Sequence, residues 1–156
     1  MSYESRQSRD WFEEGEGLRF QCTLCGNCCT GPEGYVHVSD DEATALAARF
    51  QMTRETFLAD FTRDTAMGRS LKETSTPHGL DCIFLDRTKI PGKAICGVYE
   101  DRPEQCRTWP FWPSIVQSRR NWESAKRTCP GIDTGPLIPP EQIRILRDKT
   151  PRDPSR

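Results

Sequence analysis

The residues with the clearest chemical potential are four cysteines that fall within eight positions, in the segment Cys22–Cys29. Their spacing is C-x2-C-x2-C-C, and Gly26 directly follows the second cysteine. Thiolates separated by two residues can bind one metal from a tight turn, as in zinc knuckles and iron–sulfur loops. Gly26 accepts the positive φ with which backbone N–H groups turn toward a sulfur. The segment therefore predicts a metal site that needs further ligands from elsewhere in the chain.

The remaining four cysteines are spread over the rest of the chain, at Cys82, Cys96, Cys106 and Cys129. Eight thiols suffice for two four-thiolate zinc sites, or for one iron–sulfur cluster and a second metal. Three cysteines at C-x2-C-x2-C spacing with a remote Cys129-Pro130 also match the bacterial ferredoxin arrangement. The pattern predicts a metal centre and leaves zinc and an iron–sulfur cluster, including the 4Fe–4S type, as alternatives. We interpret His37 and His78 as ordinary histidines, because eight thiols already fill two tetrahedral sites.

The composition of the 156-residue chain indicates one domain that apolar burial alone would stabilise weakly. Hydrophobic residues make up 35% of it, with 12 prolines and 11 glycines, and metal binding would add folding energy. The formal net charge of -1 disfavours a generally basic nucleic-acid-binding protein. Residues 1–20 contain no apolar segment of signal-peptide length, and no apolar run could span a membrane. We therefore expect a cytoplasmic protein with reduced thiols, and we favour metal binding over a disulfide scaffold.

Several helices are predicted to position these thiols. Residues 39–42 form a capping box, followed by apolar residues at helical spacing as far as Phe50. Thr53 is predicted to cap a second helix, which turns Phe57, Leu58 and Phe61 toward the core. A short helix over residues 103–108 would carry Cys106, and prolines at 139 and 140 open a C-terminal helix. Residues 114–127 fit either a strand or a helix.

The predicted strands are short. Residues 35–38 and the polar stretch 68–76 each show a strand pattern. Residues 82–85 and 94–98 predict an antiparallel hairpin that carries Cys82 and Cys96 on its two arms. Together the elements predict a small, irregular, metal-stabilised α+β domain over residues 19–150. We expect a flexible arm at 1–18, whose Trp11 and Phe12 dock on the domain, and a disordered tail at 151–156.

Residues 102–127 interleave basic and aromatic side chains, a pattern that can bind single-stranded nucleic acid. Acidic residues dilute this basic patch, so we interpret its aromatic residues as core and its arginines as balancing a thiolate-rich site. Arg102 and Arg107 are then candidates to donate hydrogen bonds toward sulfur. No Cys-His pair, glycine-rich phosphate loop or set of converging carboxylates is evident, so we assign no catalytic residue.

The cysteine pattern as a whole resembles that of a known family. Four stretches are similar to the YkgJ-type CxxCxxCC cysteine-cluster family: the segment Cys22–Cys29, the run Cys82-Ile83-Phe84-Leu85, the run from Cys96 to Phe111, and Cys129-Pro130-Gly131. The likeness extends from about Phe20 to Gly131. It implies a zinc- or iron-chelating fold built around all eight cysteines, namely Cys22, Cys25, Cys28, Cys29, Cys82, Cys96, Cys106 and Cys129.

Three functions are compatible with this resemblance. The first is a metal- or cluster-binding protein with a redox or metal-handling role. The second follows a related branch, the flagellin lysine N-methylases, and is an S-adenosylmethionine-dependent protein-modifying enzyme. The chain looks too short to include the additional regions of those enzymes, so we do not transfer their activity. The third is a zinc-stabilised module that binds a protein or RNA partner.

Overall fold

A computed structural model describes residues 9–31 and 33–150 of the chain. Its strands are β1 (Leu18–Phe20), β2 (Thr62–Thr65), β3 (Gly68–Leu71), β4 (Glu73–Thr76), β5 (Gly79–Cys82), β6 (Leu85–Asp86), β7 (Ile95–Cys96) and β8 (Ile132–Ile138). Its helices are α1 (Asp40–Arg49), α2 (Arg54–Phe61), α3 (Glu104–Thr108), α4 (Pro113–Val116), α5 (Arg119–Lys126) and α6 (Pro140–Asp148). Single 3-10 turns lie at Trp11–Glu13, Asn27–Cys29 and Tyr99–Asp101. The predicted tail at 151–156 and the first eight residues of the predicted arm lie outside the described residues.

Each strand pairs with one other strand in an antiparallel ribbon. The pairs are β1 with β8, β2 with β3, β4 with β5 and β6 with β7. The predicted small α+β fold with short helices and antiparallel strands is thus confirmed. No helix in the described part of the chain is long and apolar enough to cross a membrane.

The predicted antiparallel hairpin forms as the pair of β6 and β7, but it carries only Cys96, and the prediction that it also carries Cys82 is wrong. Cys82 ends β5 and lies opposite Glu73 of β4, whereas Cys96 ends β7 and lies opposite Leu85 of β6. The expected continuous strand over 82–85 is broken at Ile83, whose N–H donates to the carbonyl of Lys72 at 3.0 Å. The two cysteines therefore reach the same region from neighbouring ribbons.

The helix predictions after the cysteine segment are confirmed, with one exception. Ser39 caps α1, and both bonds of the capping box form: Glu42 N–H donates to Ser39 Oγ at 3.1 Å, and Ser39 N–H donates to Glu42 Oε1 at 3.0 Å. The Thr53 hydroxyl caps α2 by accepting from Thr56 N–H. Phe50 was expected on the buried face of the first helix, but it follows the last residue of α1 and is 38% exposed. It stacks instead on the rings of Phe61 and Phe84.

Other segments differ from the expected strands. Residues 35–38 form only an isolated bridge between His37 and Ser70, because side chains of Ser70 and Gln105 bind the N–H groups of Val36 and His37. The stretch 68–76 divides at Lys72 into β3 and β4, and a further strand, β2, precedes it. Residues 114–127, which fitted strand or helix, contain α4 and α5. The predicted helices at 103–108 and after Pro139 are confirmed as α3 and α6.

Two hydrophobic clusters form the core. The first joins the start of the described chain to its end and contains Phe12, Leu18, Phe111, Val116, Trp122, Cys129, Ile132 and Ile143. The second gathers around α1 and α2 and contains Val38, Ala43, Leu46, Ala47, Phe57, Leu71, Phe84 and Val98. Cys129 belongs to the first cluster, while Cys82 and Cys96 pack against the second. Three of the four distal cysteines are thus held by two separate cores.

Candidate metal centre

The Cys22–Cys29 segment is a tight loop shaped by left-handed backbone. Leu24 has φ +58° and Gly26 has φ +76°, and a single 3-10 turn follows at Asn27–Cys29. A Cβ atom on Gly26 would lie 2.5 Å from the Cβ of Ala94, so this position requires glycine both for its φ and for its close packing. The backbone N–H of Asn27 donates to Cys25 Sγ at 3.4 Å. The predicted orientation of a backbone N–H toward sulfur is therefore present.

Three backbone hydrogen bonds fix this loop to the parts of the chain that carry distal cysteines. The bonds are Gln21 N–H to Gly131 O at 3.1 Å, Ala94 N–H to Leu24 O at 2.8 Å, and Leu80 N–H to Gly31 O at 2.8 Å. The distal partners lie two residues from Cys129, Cys96 and Cys82, respectively. The Asn27 side chain adds a fourth link by donating to Thr128 O at 2.7 Å. The start, middle and end of the loop are thus each positioned against a different distal cysteine.

The side chain of Gln105 positions the neighbouring Cys106. Its Nε2 donates to the carbonyl of Tyr35 at 2.6 Å, and its Oε1 accepts from His37 N–H at 3.0 Å. Gln105 is 5% exposed and thereby ties α3 to the segment beside β3. At the start of α3, Glu104 N–H donates to the carboxylate of Glu42, which also closes the capping box of α1. α3 is held from two sides.

A cavity of about 90 Å³ lies where these elements meet. Six thiols line it: Cys22, Cys28, Cys29, Cys82, Cys96 and Cys106. Most of the other lining residues are apolar and come from both sides, including Phe84 and Val98 of the second cluster and Trp109, which packs against the first. Among the described residues, no carboxylate or imidazole lines it. His37 and His78 lie outside its lining.

The other two candidate ligands lie beside this cavity. Cys129 is buried in the first cluster, and its sulfur accepts a hydrogen bond from the indole of Trp109. Cys25 is half-buried and close enough for its thiolate to raise the pKa of Cys129, as does that of Cys28. Cys28 therefore faces both the cavity and this outer pair.

Four of the six thiols that line the cavity have pKa values above the ordinary value of a cysteine. Burial raises the pKa of Cys82 to about 11, with further contributions from neighbouring negative charges. Burial likewise holds the pKa of Cys106 well above its usual range and raises the pKa of Cys96. A hydrogen bond with Cys28, and burial, hold the pKa of Cys29 well above its usual range. Neighbouring thiolates repel one another, which favours the protonated thiols. A metal cation in the cavity would instead favour the thiolates, so its binding would release protons.

Thiol sulfurs are the ligands that zinc and iron–sulfur clusters prefer, so the side chains that line the cavity fit either of them. These side chains do not form a closed coordination sphere. Within residues 9–31 and 33–150, no three Cys, His, Asp or Glu side chains are grouped closely enough to hold a metal ion. The sulfurs of Cys28 and Cys29 lie 3.6 Å apart. Between Cys22 and Leu24, the hydroxyl oxygen of Thr23 is buried without a hydrogen-bond partner among the described residues. Buried hydroxyl groups usually form hydrogen bonds, and the thiolates of a metal-bound site would be acceptors for the Thr23 hydroxyl.

A buried carboxylate that the sequence did not single out braces the loop against β5 and β6. Arg87 binds Asp81 in bidentate fashion, with Nε to Oδ2 at 2.7 Å and Nη2 to Oδ1 at 3.0 Å. The Thr30 hydroxyl, next to Cys29, donates to the same carboxylate. Bonding to Arg87 lowers the pKa of Asp81 to about 2. Neither Asp81 nor Gln105 could be recognised from the sequence nearby. Gln105 binds backbone groups about 70 positions away, and Asp81 binds Thr30 and Arg87, which belong to no recognisable motif.

The two arginines expected near the thiols differ in position. Arg102 lines the cavity, and its charge lowers the pKa values of Cys96 and Cys106 against the effect of burial. Its Nε donates to the carbonyl of Tyr99 at 2.9 Å, and its guanidinium lies 3.8 Å from the centre of the Tyr99 ring. Arg107 is exposed and its Nε donates to the carbonyl of Arg102. Of these two arginines, Arg102 alone therefore shifts the pKa values of the thiols through its charge.

Comparison with known proteins agrees with the cysteine pattern. No solved structure matches the chain at a significant level. The model of the CxxCxxCC family, described as "Putative zinc- or iron-chelating domain", matches residues 21–130, which include all eight cysteines and most of the loop's anchors. With more than half of its length matched, the chain belongs to the CxxCxxCC family of zinc- or iron-chelating domains.

Proposed function

We propose that the protein holds a cysteine-ligated metal centre, either an iron–sulfur cluster or zinc, in the cavity between its two hydrophobic clusters. The observation that carries this proposal is the cavity lining, to which six thiols contribute and to which no described residue contributes a carboxylate or an imidazole. Soft thiolate ligands favour zinc and iron–sulfur clusters over magnesium, calcium or manganese. A bound cluster would supply one-electron chemistry, whereas zinc would supply a structural cross-link.

We assign all eight cysteines to this centre, in two groups of four. The inner group is Cys29, Cys82, Cys96 and Cys106, and the outer group is Cys22, Cys25, Cys28 and Cys129. Effects on pKa support the inner group, because the thiolates of Cys82 and Cys96 both raise the pKa of Cys106; that of Cys28, which faces both groups, does so too. The effects of Cys25 and Cys28 on the pKa of Cys129 support the outer group. Two groups of four thiolates match two four-coordinate sites.

The experiment that tests this proposal is anaerobic purification, followed by a UV–visible spectrum and by iron, acid-labile sulfide and zinc analysis. Brown protein with iron and sulfide would identify a cluster, and its reversible reduction would support a redox role. Colourless protein with about two zinc ions per chain would identify two closed four-thiolate sites. Protein that is folded and free of metal after growth with iron and zinc would contradict the proposal.

Single variants test the ligand assignment. Cys106→Ser in the inner group and Cys25→Ser in the outer group should each lose metal and lower the melting temperature, because metal binding also contributes folding energy. His78→Ala is the matched control, since His78 is exposed and lies outside the cavity lining. If either cysteine variant keeps its full metal content and melting curve while His78→Ala behaves as wild type, that cysteine is not a ligand.

A further inference from the structure

A second and much larger groove lies directly beside the cysteine cavity. Its volume is about 800 Å³, within the usual size range of small-molecule sites, whereas the cysteine cavity measures about 90 Å³. Cys28, Trp109 and Trp112 line both spaces, so the two indoles separate the groove from the cavity. A molecule in the groove would thus lie next to a cysteine that we assign to the metal centre.

The two indoles form an aromatic corner in this groove. The rings of Trp109 and Trp112 are perpendicular, with an interplanar angle of 82° and centroids 4.9 Å apart. Both are fixed by their N–H groups: that of Trp109 bonds to the sulfur of Cys129, and that of Trp112 donates to the carbonyl of Gln105 at 2.9 Å. Trp112 is only 8% exposed, so a flat ring in the groove would contact mainly the half-buried Trp109 and reach only the exposed part of Trp112.

The polar lining of the groove favours a negatively charged ligand. It comprises hydroxyl and amide groups and one guanidinium, that of Arg127, without a carboxylate from the described residues. Arg127 is exposed and has no carboxylate at ion-pair distance in the described part of the chain. Its neighbours on α5 differ, because Lys126 pairs with Asp133 at 3.0 Å and Arg119 with Glu14 at 3.8 Å. The positive charge of Arg127 is therefore available to a ligand, and an amine would find no counter-charge here.

The groove also has a pre-formed wall. The side-chain amide of Asn121 donates to Ser114 O at 2.8 Å, and that of Asn27 donates to Thr128 O at 2.7 Å. These bonds tie α5 and the residues after it to α4 on one side and to the cysteine loop on the other. A site with fixed walls loses less entropy when a ligand binds.

We infer that this groove binds a small planar organic anion of the aromatic-carboxylate class, with its ring against the Trp109–Trp112 corner and its carboxylate on Arg127. The inference goes beyond metal binding and does not depend on which metal the protein holds. It places a small-molecule site in contact with Cys28, at the outer edge of the proposed centre.

Benzoate is the probe that tests this inference, with benzamide as a flat uncharged control and acetate as a charged control without a ring. Binding to the protein as purified is measured by saturation-transfer difference NMR titration. Benzoate should bind about tenfold more tightly than benzamide, as expected for a charge-assisted hydrogen-bond pair, and acetate should bind weakest. Equal affinity for benzoate and benzamide, or no saturable benzoate binding below about 10 mM, would overturn the inference.

Two arginine variants locate the site. Arg127→Gln should lower benzoate affinity about tenfold, to the level of benzamide, and leave benzamide binding unchanged. Arg120→Gln is the matched control, because Arg120 is exposed on α5, the helix that Arg127 directly follows, and does not line the groove. Equal losses in both variants would indicate general surface charge and overturn the inference. Metal analysis of each sample separates the two proposals. A metal-free wild type would contradict the proposed metal centre, whereas the comparison of benzoate with benzamide would still test whether the groove binds an anion.

Discussion

Replacing Asp81 with Asn should lower the free energy of unfolding by about 2 kcal/mol at pH 7. Asp81 is 3% exposed, and its carboxylate binds Arg87 at two points and accepts from Thr30. Bonding to Arg87 lowers its pKa from 3.8 to about 2, and that difference corresponds to about 2 kcal/mol of extra stabilisation of the ionised form. Asn keeps the size of the side chain and removes the charge, so the loss reports the ionic interaction.

The same pKa difference gives the loss a defined pH dependence. Because the folded carboxyl ionises at a lower pH than the unfolded one, its stabilisation is fully present above about pH 4 and disappears as the pH falls toward 2. The stability difference between wild type and Asp81→Asn should therefore be constant between about pH 5 and 8, and shrink below pH 4.

Urea unfolding followed by circular dichroism, at constant metal concentration, measures both effects. Asp64→Asn is the matched control, because Asp64 also pairs with an arginine, Arg69, but its side chain is 81% exposed. Exposed ion pairs contribute little, so this variant should match wild type. An Asp81→Asn protein as stable as wild type at pH 7, or equal losses in the two variants, would refute the bracing role of Asp81.

Three further predictions test the loop, its support and its thiols. Gly26→Ala should destabilise the protein by about 1–3 kcal/mol more than Gly92→Ala. Both glycines have φ near +75°, but only at position 26 would the added Cβ clash, with the Cβ of Ala94. Equal melting temperatures of the two variants would contradict the close packing at Gly26. Gln105→Leu should lower the free energy of unfolding, measured with urea, by about 2 kcal/mol, because it leaves the Tyr35 carbonyl and the His37 N–H unpaired. Gln117→Leu, at an exposed position, is the control, and an equal loss in both variants would contradict the supporting role of Gln105. Since the pKa of Cys82 is raised to about 11, zinc affinity in chelator competition should rise with pH, about tenfold per pH unit for each proton displaced, and a flat profile would exclude proton release.

Local features of the fold were predictable because their determinants lie within a few residues of one another. The capping box of α1 depends on Ser39 and Glu42, three positions apart, and the prolines at 139 and 140 mark the start of α6. The metal-binding class was also predictable, because the spacing of Cys22, Cys25, Cys28 and Cys29 is itself the chemical signal. In each case one turn of chain contains the whole interaction.

The long-range features could not be predicted, because their partners are separated in sequence by ordinary residues. β8 contains Gly135 and Pro136 and shows little strand pattern, yet it pairs with β1 across more than a hundred residues. Cys82 lies outside the expected hairpin because Ile83 bonds to Lys72 rather than to the opposite arm. In the sequence Asp81 is one of several scattered carboxylates, and only the fold shows that Arg87 and Thr30 bind it. The sequence names the thiols, but only packing determines which of them share a cavity.

The pairing of β1 with β8 has a consequence for the order in which the protein assembles during synthesis. The link between Gln21 and Gly131, which fixes the start of the cysteine loop, requires the chain that follows α5. A nascent chain that has emerged only as far as α5 already carries seven of the eight cysteines, with the middle and end of the loop able to bond to Ala94 and Leu80. It lacks both Cys129 and the strand that joins the start of the loop to the first hydrophobic cluster. The thiols can therefore take up the arrangement seen in the fold only after both Cys129 and β8 have been synthesised.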